Sequence, residues 1–499
     1  MRTNPRPLAL LLSVSILTGC AVGPDYRSPE IDVSSRFLGQ EAIVHRDVKS
    51  KADLTAWWAG FDDPLLTRFI SLALEQNLDI AQAAARVAQS RASLRLADAA
   101  LLPSANVSAN AARTYQSVET PLGQVLSATR DFDRNGSYYE ANLNASWEID
   151  VFGGLRRGRE AARAEYAASE AGAIATRLAV AAQTADVYVT IRGLQARITI
   201  ARQQAQTRRE LLSTVKLQFE KGIAAELQMR QVEGSLAQVE AQIPVLESGL
   251  DAAMNALDVL LAVQPGTYRA ELGPEASIPA APGLAETGTP ADMIRRRPDL
   301  IVAERRVAAA SARIGVATAE YYPKFSLGAL LGSATAIAGG HLFTADATQA
   351  AGLLGLRWRL FDFGRIDAQV AAARGQEAEA LAAYRLAALR ATEDVENAFS
   401  ALVKREAQTR ILTHGESSLA RARENAAAAY KGGVVSLIEV LDADSNLLQV
   451  RDAKAQAQTE AARAAIASFR ALGGGWDAQK VTSDRVYSNL STSHHGQAK

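Results

Sequence analysis

The sequence predicts an α+β membrane protein in which four strands per chain form part of a β-barrel and long helices continue it as a coiled-coil barrel. Three observations lead to this fold class. An export signal ends at the only cysteine of the chain, most of the remaining sequence is duplicated, and each copy contains two alternating strands followed by a helix of about 68 residues. The 499-residue chain has 54 basic and 54 acidic side chains, a balance that argues against a nucleic-acid partner.

Residues 1–19 have the features of a bacterial lipoprotein signal peptide. Two arginines precede a short apolar run, Leu8 to Leu17, which is shorter than the roughly 20 residues that a membrane-spanning helix needs. The run leads to Cys20, so we predict that the signal is cleaved before Cys20 and that lipid, including palmitate, is attached to it. A conventional signal peptide with an incidental cysteine is the alternative.

Lipidation would tie residues 20–61 to a membrane as an N-terminal anchored segment. Ala21 follows the cysteine, whereas an aspartate there is the usual signal for retention in the inner membrane. We therefore predict a lipid anchor in the cell outer membrane, with the helical part of the chain in the periplasm.

The duplication appears as matching residues at a constant spacing. The heptapeptide beginning at Trp147 recurs in modified form at Trp358, an offset of 358 − 147 = 211. Upstream, Pro103 matches Pro323 at an offset of 323 − 103 = 220, and a loop between the proline and the tryptophan absorbs the nine-residue difference. The predicted organisation is a first repeat over 62–262, a linker over 263–288, a second repeat over 289–472 and a C-terminal tail over 473–499.

Each repeat is predicted to contain a helix and then two strands. Apolar and polar residues alternate most clearly from Tyr139 to Ile149, where the apolar residues occupy the odd positions. Alternation over about ten residues is typical of strands in a membrane β-barrel. A soluble, half-buried hairpin is the alternative. The predicted strands are 103–115, 137–149, 323–332 and 351–361.

A long, proline-free helix follows each strand pair. At 1.5 Å per residue such a helix extends about 100 Å, which suits a periplasm better than a globular domain. Between Leu381 and Leu402 apolar residues recur every three or four positions, as in coiled coils. Glycines at 222 and at 432–433 are predicted to turn the chain into a returning helix. The predicted helices are 154–221 and 223–262 in the first repeat, and 364–431 and 434–472 in the second.

Four strands cannot close a barrel, and open sheet edges are not tolerated in lipid. Copies of the chain must therefore provide the remaining strands. Two copies would give eight strands with an interior filled by side chains, whereas larger barrels leave a lumen. The residues themselves do not fix the number of copies.

Three groups of motifs carry a resemblance that covers nearly the whole mature chain: Gly19-Cys20-Ala21-Val22-Gly23-Pro24-Asp25-Tyr26, then Trp57-Trp58 with Asp63-Pro64-Leu65, then Arg296-Arg297-Pro298-Asp299-Leu300 with Tyr322-Pro323. Together they resemble the outer-membrane factor family, the TolC-like channels, and most closely its lipoprotein branch of the NodT/OprM type. The resemblance implies a homotrimer with a 12-stranded barrel and a 12-helix tunnel. It also implies export of drugs or other small molecules with a periplasmic adaptor and an inner-membrane pump of the RND class.

The resemblance further assigns a periplasmic gate. Ile438, Glu439 and Asp442 follow the Gly432-Gly433 turn and are similar to the family segment that narrows the closed tunnel. Because Glu439 and Asp442 share a helix face, a trimer would present six carboxylates, with Ile438 as an apolar constriction. A solvated acidic face is the alternative. Val435 replaces an arginine that latches this turn in TolC-type relatives, so that latch is not carried over.

No enzyme, metal or cofactor is predicted. The triplet Asp362-Phe363-Gly364 matches a kinase motif, but it lies at a strand end and no other kinase element accompanies it. The five histidines are scattered or lie in the tail, so they do not suggest a metal site. Two other functions stay open: the outer channel of a protein-secreting (type I) exporter, and a structural lipoprotein that spans the periplasm. The alternating strands argue against the second.

Overall fold

The computed structural model of the chain describes residues 21–32, 34–46, 51–130, 132–284 and 288–476, so Cys20 lies outside the described residues. The chain forms two compact units, each built from three separate segments. The first unit contains the described residues of Met1–Pro29, with Ala88–Ala168 and Glu304–Ala383. The second contains Glu30–Val87, Ser169–Ala303 and the described residues of Tyr384–Lys499.

The order helix, strand, strand, long helix, shorter helix occurs twice along the chain. The helices are α1 (Gln40–Val44), α2 (Pro64–Gln76), α3 (Leu78–Ala99), α4 (Pro121–Ser127), α5 (Gly154–Glu220), α6 (Glu226–Leu260), α7 (Arg269–Leu272), α8 (Pro290–Arg296), α9 (Pro298–Ala319), α10 (Arg365–Lys431) and α11 (Leu437–Ala471). The strands are β1 (Lys51–Ala52), β2 (Ser104–Tyr115), β3 (Asn135–Ile149), β4 (Gly283–Leu284), β5 (Lys324–Thr335) and β6 (Thr348–Arg357). Both long helices, α5 and α10, have 67 residues, and both returning helices, α6 and α11, have 35. None of the described helices has the length and apolar character that a bilayer crossing requires.

Four of the strands form one antiparallel sheet in the first unit, in the order β2–β3–β5–β6. The prediction of a largely helical chain that carries four strands in one sheet is confirmed. The register aligns apolar residues across neighbouring strands on one face, and these side chains are exposed, at 76% for Val107 and 75% for Leu354. The apolar rows are Val107–Leu143–Leu331 and Trp147–Leu327–Leu354. The sheet therefore presents an apolar surface that the rest of the described chain leaves exposed.

The end of β6 differs most from its predicted bounds. The strand ends at Arg357 rather than at residue 361, because the following residues cap helix α10. The Asp362 carboxylate accepts hydrogen bonds from the backbone N–H groups of Gly364 at 3.1 Å and Ile366 at 2.8 Å, and Phe363 adopts a φ of 56°. A segment that turns to cap a helix cannot remain in an extended ladder. The other strands and helices differ from their predicted bounds by one to three residues.

Two tryptophans tie the sheet to the helices that precede its strands. The Trp147 indole N–H donates to the carbonyl oxygen of Leu101 at 2.9 Å, and the Trp358 indole N–H donates to that of Tyr321 at 2.9 Å. Each carbonyl lies two residues beyond the end of a helix, α3 or α9, where helical partners run out. The two halves of the sheet therefore attach to their helices in the same way.

The core of the second unit lies around Trp57, which is 1% exposed and stacks on Phe469 with ring centroids 5.4 Å apart. Alanines occupy the contacts among the long and returning helices, and Ala185, Ala391 and Ala462 are completely buried. Because alanine has no side chain beyond Cβ, neighbouring helices approach closely at these positions. The alanine-rich composition thus serves helix packing.

Buried polar groups hold the linker and the N-terminal segment against the long helices of this unit. The side chain of Gln195 on α5 donates to the carbonyl oxygen of Leu272 at 2.6 Å. At the position 211 residues later, Glu406 on α10 instead accepts a hydrogen bond from Arg46 Nε at 2.9 Å. Equivalent positions on the two long helices therefore hold the two segments that the duplication does not include.

We expect Trp147→Phe to destabilise the first unit, because phenylalanine keeps the ring but leaves the Leu101 carbonyl without its donor. The expected loss is about 1 kcal/mol, the typical net value of one hydrogen bond. Thermal unfolding of the detergent-solubilised protein, followed by circular dichroism, measures it. Trp358→Phe is the matched variant and should lower the midpoint by a similar amount. Unchanged midpoints for both variants would contradict the role assigned to the indoles.

Candidate functional site

The first helical hairpin of the second unit turns at Gly222, where α5 ends. Gly222 has a φ of 73°, and its N–H donates to the Phe219 carbonyl at 2.9 Å. The next N–H, of Ile223, donates to the Gln218 carbonyl at 2.8 Å. This pair of bonds is the Schellman arrangement, which requires positive φ at its central residue and so favours glycine. Helix α6 then begins at Glu226, three residues after the predicted start.

The second hairpin turns in the same way at Gly433, which has a φ of 70°. The N–H of Val434 donates to the Ala429 carbonyl at 2.9 Å. Gly432 precedes the turn, has no positive φ and continues the helical bonding of α10. Helix α11 begins at Leu437 rather than at the predicted residue 434. The positive-φ requirement thus falls on Gly222 and Gly433 and not on Gly432.

Glu439 and Asp442 lie on the first turns of α11, and both are exposed. Glu439 occupies the first turn, where a carboxylate complements the positive end of the helix dipole. Asp442 accepts a long hydrogen bond, 3.4 Å, from the Asn446 side chain. Neither carboxylate forms an ion pair with any residue that the structure describes. The structure thus brings the two predicted acids together on one solvent-facing side of the helix.

Ile438 is half-buried in a single chain. It packs with Leu437 against a small hydrophobic cluster formed by Leu211, Val215 and Leu441. This cluster fixes the start of α11 against the end of α5. The constricting role predicted for Ile438 would therefore depend on the part of its side chain that remains exposed.

A polar layer beyond the acid pair joins three helices. Asp444 on α11 accepts a hydrogen bond from Thr207 Oγ1 on α5 at 2.6 Å, and its other oxygen lies 3.3 Å from Arg423 Nε on α10. Our sequence analysis did not single out Asp444. The available signal was a charged residue between the buried leucines at 441 and 447.

A second group of ion pairs, around Glu416 of α10, joins two of these helices, α10 and α11. Its carboxylate accepts hydrogen bonds from Lys454 Nζ at 2.7 Å and Arg451 Nε at 2.9 Å, both on α11. The bond from Lys454, supported by Arg451, lowers the pKa of the Glu416 carboxyl below its usual value. Glu416 therefore stays charged at neutral pH, and α10 and α11 remain joined by an ion pair.

The segment that follows Cys20 is held in the first unit by Arg157, whose side chain is 5% exposed. Arg157 Nε donates to the Val22 carbonyl at 3.1 Å, and Nη2 lies 2.7 Å from the Asp25 carboxylate. The N–H of Val22 donates to the Phe152 carbonyl at 3.0 Å. The chain is therefore fixed to the end of the β3 segment directly after the predicted lipidation position.

Three glycines make room for this segment. A Cβ on Gly23, which has a φ of 92°, would lie 2.4 Å from the Cα of Gly315. A Cβ on Gly315 would lie 2.6 Å from Arg157 Cγ, and one on Gly153 would lie 2.6 Å from Ala21 Cβ. Real Cβ atoms do not approach this closely, so larger residues at these positions would displace the segment. No group of three or more potential metal-ligating side chains occurs in the part of the chain that the structure describes.

Known proteins resemble this chain over nearly its whole length. The family described as outer membrane efflux protein matches residues 69–263 and 289–474. The pyoverdine export outer membrane protein OpmQ of Pseudomonas putida is 32% identical over 96% of this chain and 100% of that protein. The probable outer membrane lipoprotein SilC of Salmonella typhimurium is 30% identical over 93% of this chain and 98% of that protein.

A solved structure agrees with the sequence relatives. The structure of the outer-membrane channel OprN superposes on this chain with a TM-score of 0.80 at 31% sequence identity. The superposition covers 92% of this chain and 100% of the OprN chain. The resemblance to the outer-membrane factor family is confirmed. Because the family match extends over both long helices and the relatives align almost from end to end, the chain belongs to the outer membrane efflux protein family.

Proposed function

We propose that three copies of this chain form the outer-membrane channel of a tripartite efflux system, which exports small molecules with a periplasmic adaptor and an inner-membrane pump of the RND class. Membership of the outer membrane efflux protein family supports the location and the channel role. The observation that carries the oligomer is the sheet of the first unit, in which the described strands leave two unpaired edges and an exposed apolar face. The number three comes from the resemblance to the family.

The unpaired edges are long. Strand β2 pairs only with β3, over 12 residues, and β6 pairs only with β5, over 10. Backbone N–H and C=O groups along a free edge cannot stay unpaired in the hydrocarbon of a bilayer. Pairing β2 of one copy with β6 of the next closes the sheet. Three copies then give 12 strands, enough to leave a lumen, with the apolar rows facing lipid and the polar rows facing water.

The long helices would carry the channel into the periplasm. Each 67-residue helix extends about 100 Å at 1.5 Å per residue. The exposed acids Glu439 and Asp442 support a gate near the second hairpin turn, because a trimer would gather six carboxylates around one axis. The exposed part of Ile438 would add the apolar constriction.

The relatives favour small molecules over proteins as cargo. OpmQ is named for pyoverdine export, and TtgF of Pseudomonas putida, 29% identical, is named as a toluene efflux pump component. A structural lipoprotein that only spans the periplasm would have no use for a sheet with an exposed apolar face.

Native mass spectrometry of the full-length protein in mild detergent tests the oligomer. We expect one species at three times the mass of the acylated chain, because closure with other copies satisfies both sheet edges and the family resemblance implies three copies. A stable monomer would remove the closed-barrel argument, and a dimer would give eight strands without a lumen.

Cys20→Ser tests the anchor. The variant should lose labelling by a palmitate analogue, since the thiol that accepts the lipid is gone, and its signal should remain uncleaved. The wild type, labelled in parallel, is the control. Equal labelling of the two proteins would show that lipid is attached elsewhere or that none is attached to Cys20.

Planar-bilayer recording tests the gate. Multivalent cations added on the periplasmic side should block the wild-type channel, because in a narrow trimeric gate the carboxylates would lie within the Debye length of roughly 8 Å of one another. The double change Glu439→Gln, Asp442→Asn should weaken the block and lower cation selectivity, with little effect on trimer stability. Conductance should rise less than in Ile438→Gly, which widens the apolar constriction.

Glu226→Gln is the matched control for the gate, because it removes an acid from the equivalent first turn of α6. It should leave the block unchanged. If the double variant blocks and selects like the wild type, Glu439 and Asp442 form only a solvated helix face.

A further inference from the structure

The polar face of the sheet carries charge unevenly. Four charged side chains belong to this face by register: Glu140 and Glu148 of β3, Lys324 of β5 and Arg357 of β6. Three of them lie together at the end where the strands join the helices. There Lys324 lies opposite Arg357 in the cross-strand register, and Glu148 lies opposite Ser326, two residues further along β5. Two cations therefore share this end with Glu148 and with Glu320, the acid that forms an ion pair with Lys324.

Glu140 lies alone on the other half of the face. It is eight residues from Glu148, about 26 Å along an extended strand, and nearer the β2–β3 hairpin. That separation is several times the Debye length of roughly 8 Å. Among the described strand residues, no basic side chain shares its half of the face, since Arg113 of β2 belongs to the opposite face by alternation. Its charge is therefore uncompensated within the sheet.

Two amide side chains hold the Glu140 carboxylate. Its Oε1 accepts a hydrogen bond from Asn142 Nδ2 on the same strand and another, at 3.3 Å, from Gln349 Nε2 on β6. Gln349 Nε2 also donates to Asn142 Oδ1 at 2.8 Å. The three side chains, two on β3 and one on β6, form a closed ring of hydrogen bonds across β5.

A glycine makes this ring possible. Gly332 of β5 lies between Asn142 and Gln349 in the cross-strand register. A Cβ on Gly332 would lie 2.1 Å from Asn142 Oδ1, so any larger residue would push the amide away. Asn142 is only 5% exposed, and its amide is directed to other side chains rather than to water. Its contacts are those of a residue that orients Glu140.

We propose that Glu140 is a specificity-determining residue of the pore: in the trimer its three copies form a ring of carboxylates in the outer half of the barrel, which favours cations and cationic solutes. Asn142 and Gln349 are positioning residues that keep the carboxylate at one place on the wall. Rings of acidic side chains select cations in other channels by the same electrostatic attraction. The inference rests on the proposed trimeric channel, but the site is separate from Glu439 and Asp442.

Reversal potentials in a KCl gradient test the ring, measured with full-length channels in planar bilayers. The background is the gate variant Glu439→Gln, Asp442→Asn, so that the acids of α11 do not mask the effect. In it, Glu140→Gln should lower the cation-to-anion permeability ratio at least about twofold, because the only charge on that half of the face is removed. Glu148→Gln is the matched control and should change the ratio less. An unchanged ratio in Glu140→Gln, or an equal change in Glu148→Gln, would overturn the proposal.

The positioning role has its own measurement. Asn142→Ala keeps the Glu140 charge but removes one donor and the link to Gln349. It should lower the permeability ratio by less than Glu140→Gln and broaden the distribution of open-channel currents. Gly332→Ala should act in the same direction, because it displaces the Asn142 amide. If both variants match the background, the amides do not position the carboxylate.

Cysteine labelling separates a failure of this inference from a failure of the channel proposal. Glu140→Cys and Leu143→Cys place a thiol on opposite faces of β3. The thiol of Cys20 is expected to carry lipid, so the introduced cysteine would be the one available for labelling. A membrane-impermeant thiol reagent should modify Glu140→Cys in the inserted channel and spare Leu143→Cys. Labelling of Leu143→Cys alone would reverse the faces and overturn the proposed barrel. Correct labelling with no selectivity change in Glu140→Gln would overturn only the ring.

Discussion

The structure depends above all on a sheet that its own chain cannot complete. Strands β2 and β6 each leave a row of backbone donors and acceptors without a strand partner, while the apolar face between them is exposed. In a bilayer, neither feature is stable in a single chain, because lipid offers no hydrogen bonds to the edges. In the proposed channel, closure with other copies would satisfy the edges, turn the apolar face to lipid and enclose the polar face. The oligomer and the polarity of the lumen would then follow from one requirement.

The duplicated halves share a scaffold but not their charges. The indole bonds of Trp147 and Trp358 have the same length and the same helix-end acceptors. By contrast, the positions 211 residues after Glu140 and Asn142 are Ala351 and Leu353, so the amide-held carboxylate belongs to the first half alone. The acids of α11 in turn belong to the second half. In the proposed trimer, each half would thus contribute one ring of charge.

Local patterns in the sequence predicted the elements, and long-range contacts explain what they missed. The strand around Leu143 and the turns at Gly222 and Gly433 can be predicted because each depends on residues that are close in sequence. Strand β6 ends early because Asp362 caps helix α10. Alternation of apolar and polar residues cannot show whether a segment continues a strand or turns to cap a helix. The ring of Glu140, Asn142 and Gln349 joins residues 207 positions apart, and no spacing rule relates them before the strand register is known.

The strand ends that join the helices have the features of a membrane interface. Trp147 and Trp358 lie there, and indoles favour the boundary between lipid and water. At the same end of β5, on the polar face, Lys324 forms an ion pair with Glu320. Arg157 fixes the segment that follows Cys20 to this same end through the Val22 carbonyl. If Cys20 carries the proposed acyl chains, these would enter the periplasmic leaflet near the indoles. The anchor and the aromatic residues would then set the depth of the sheet in the outer membrane together.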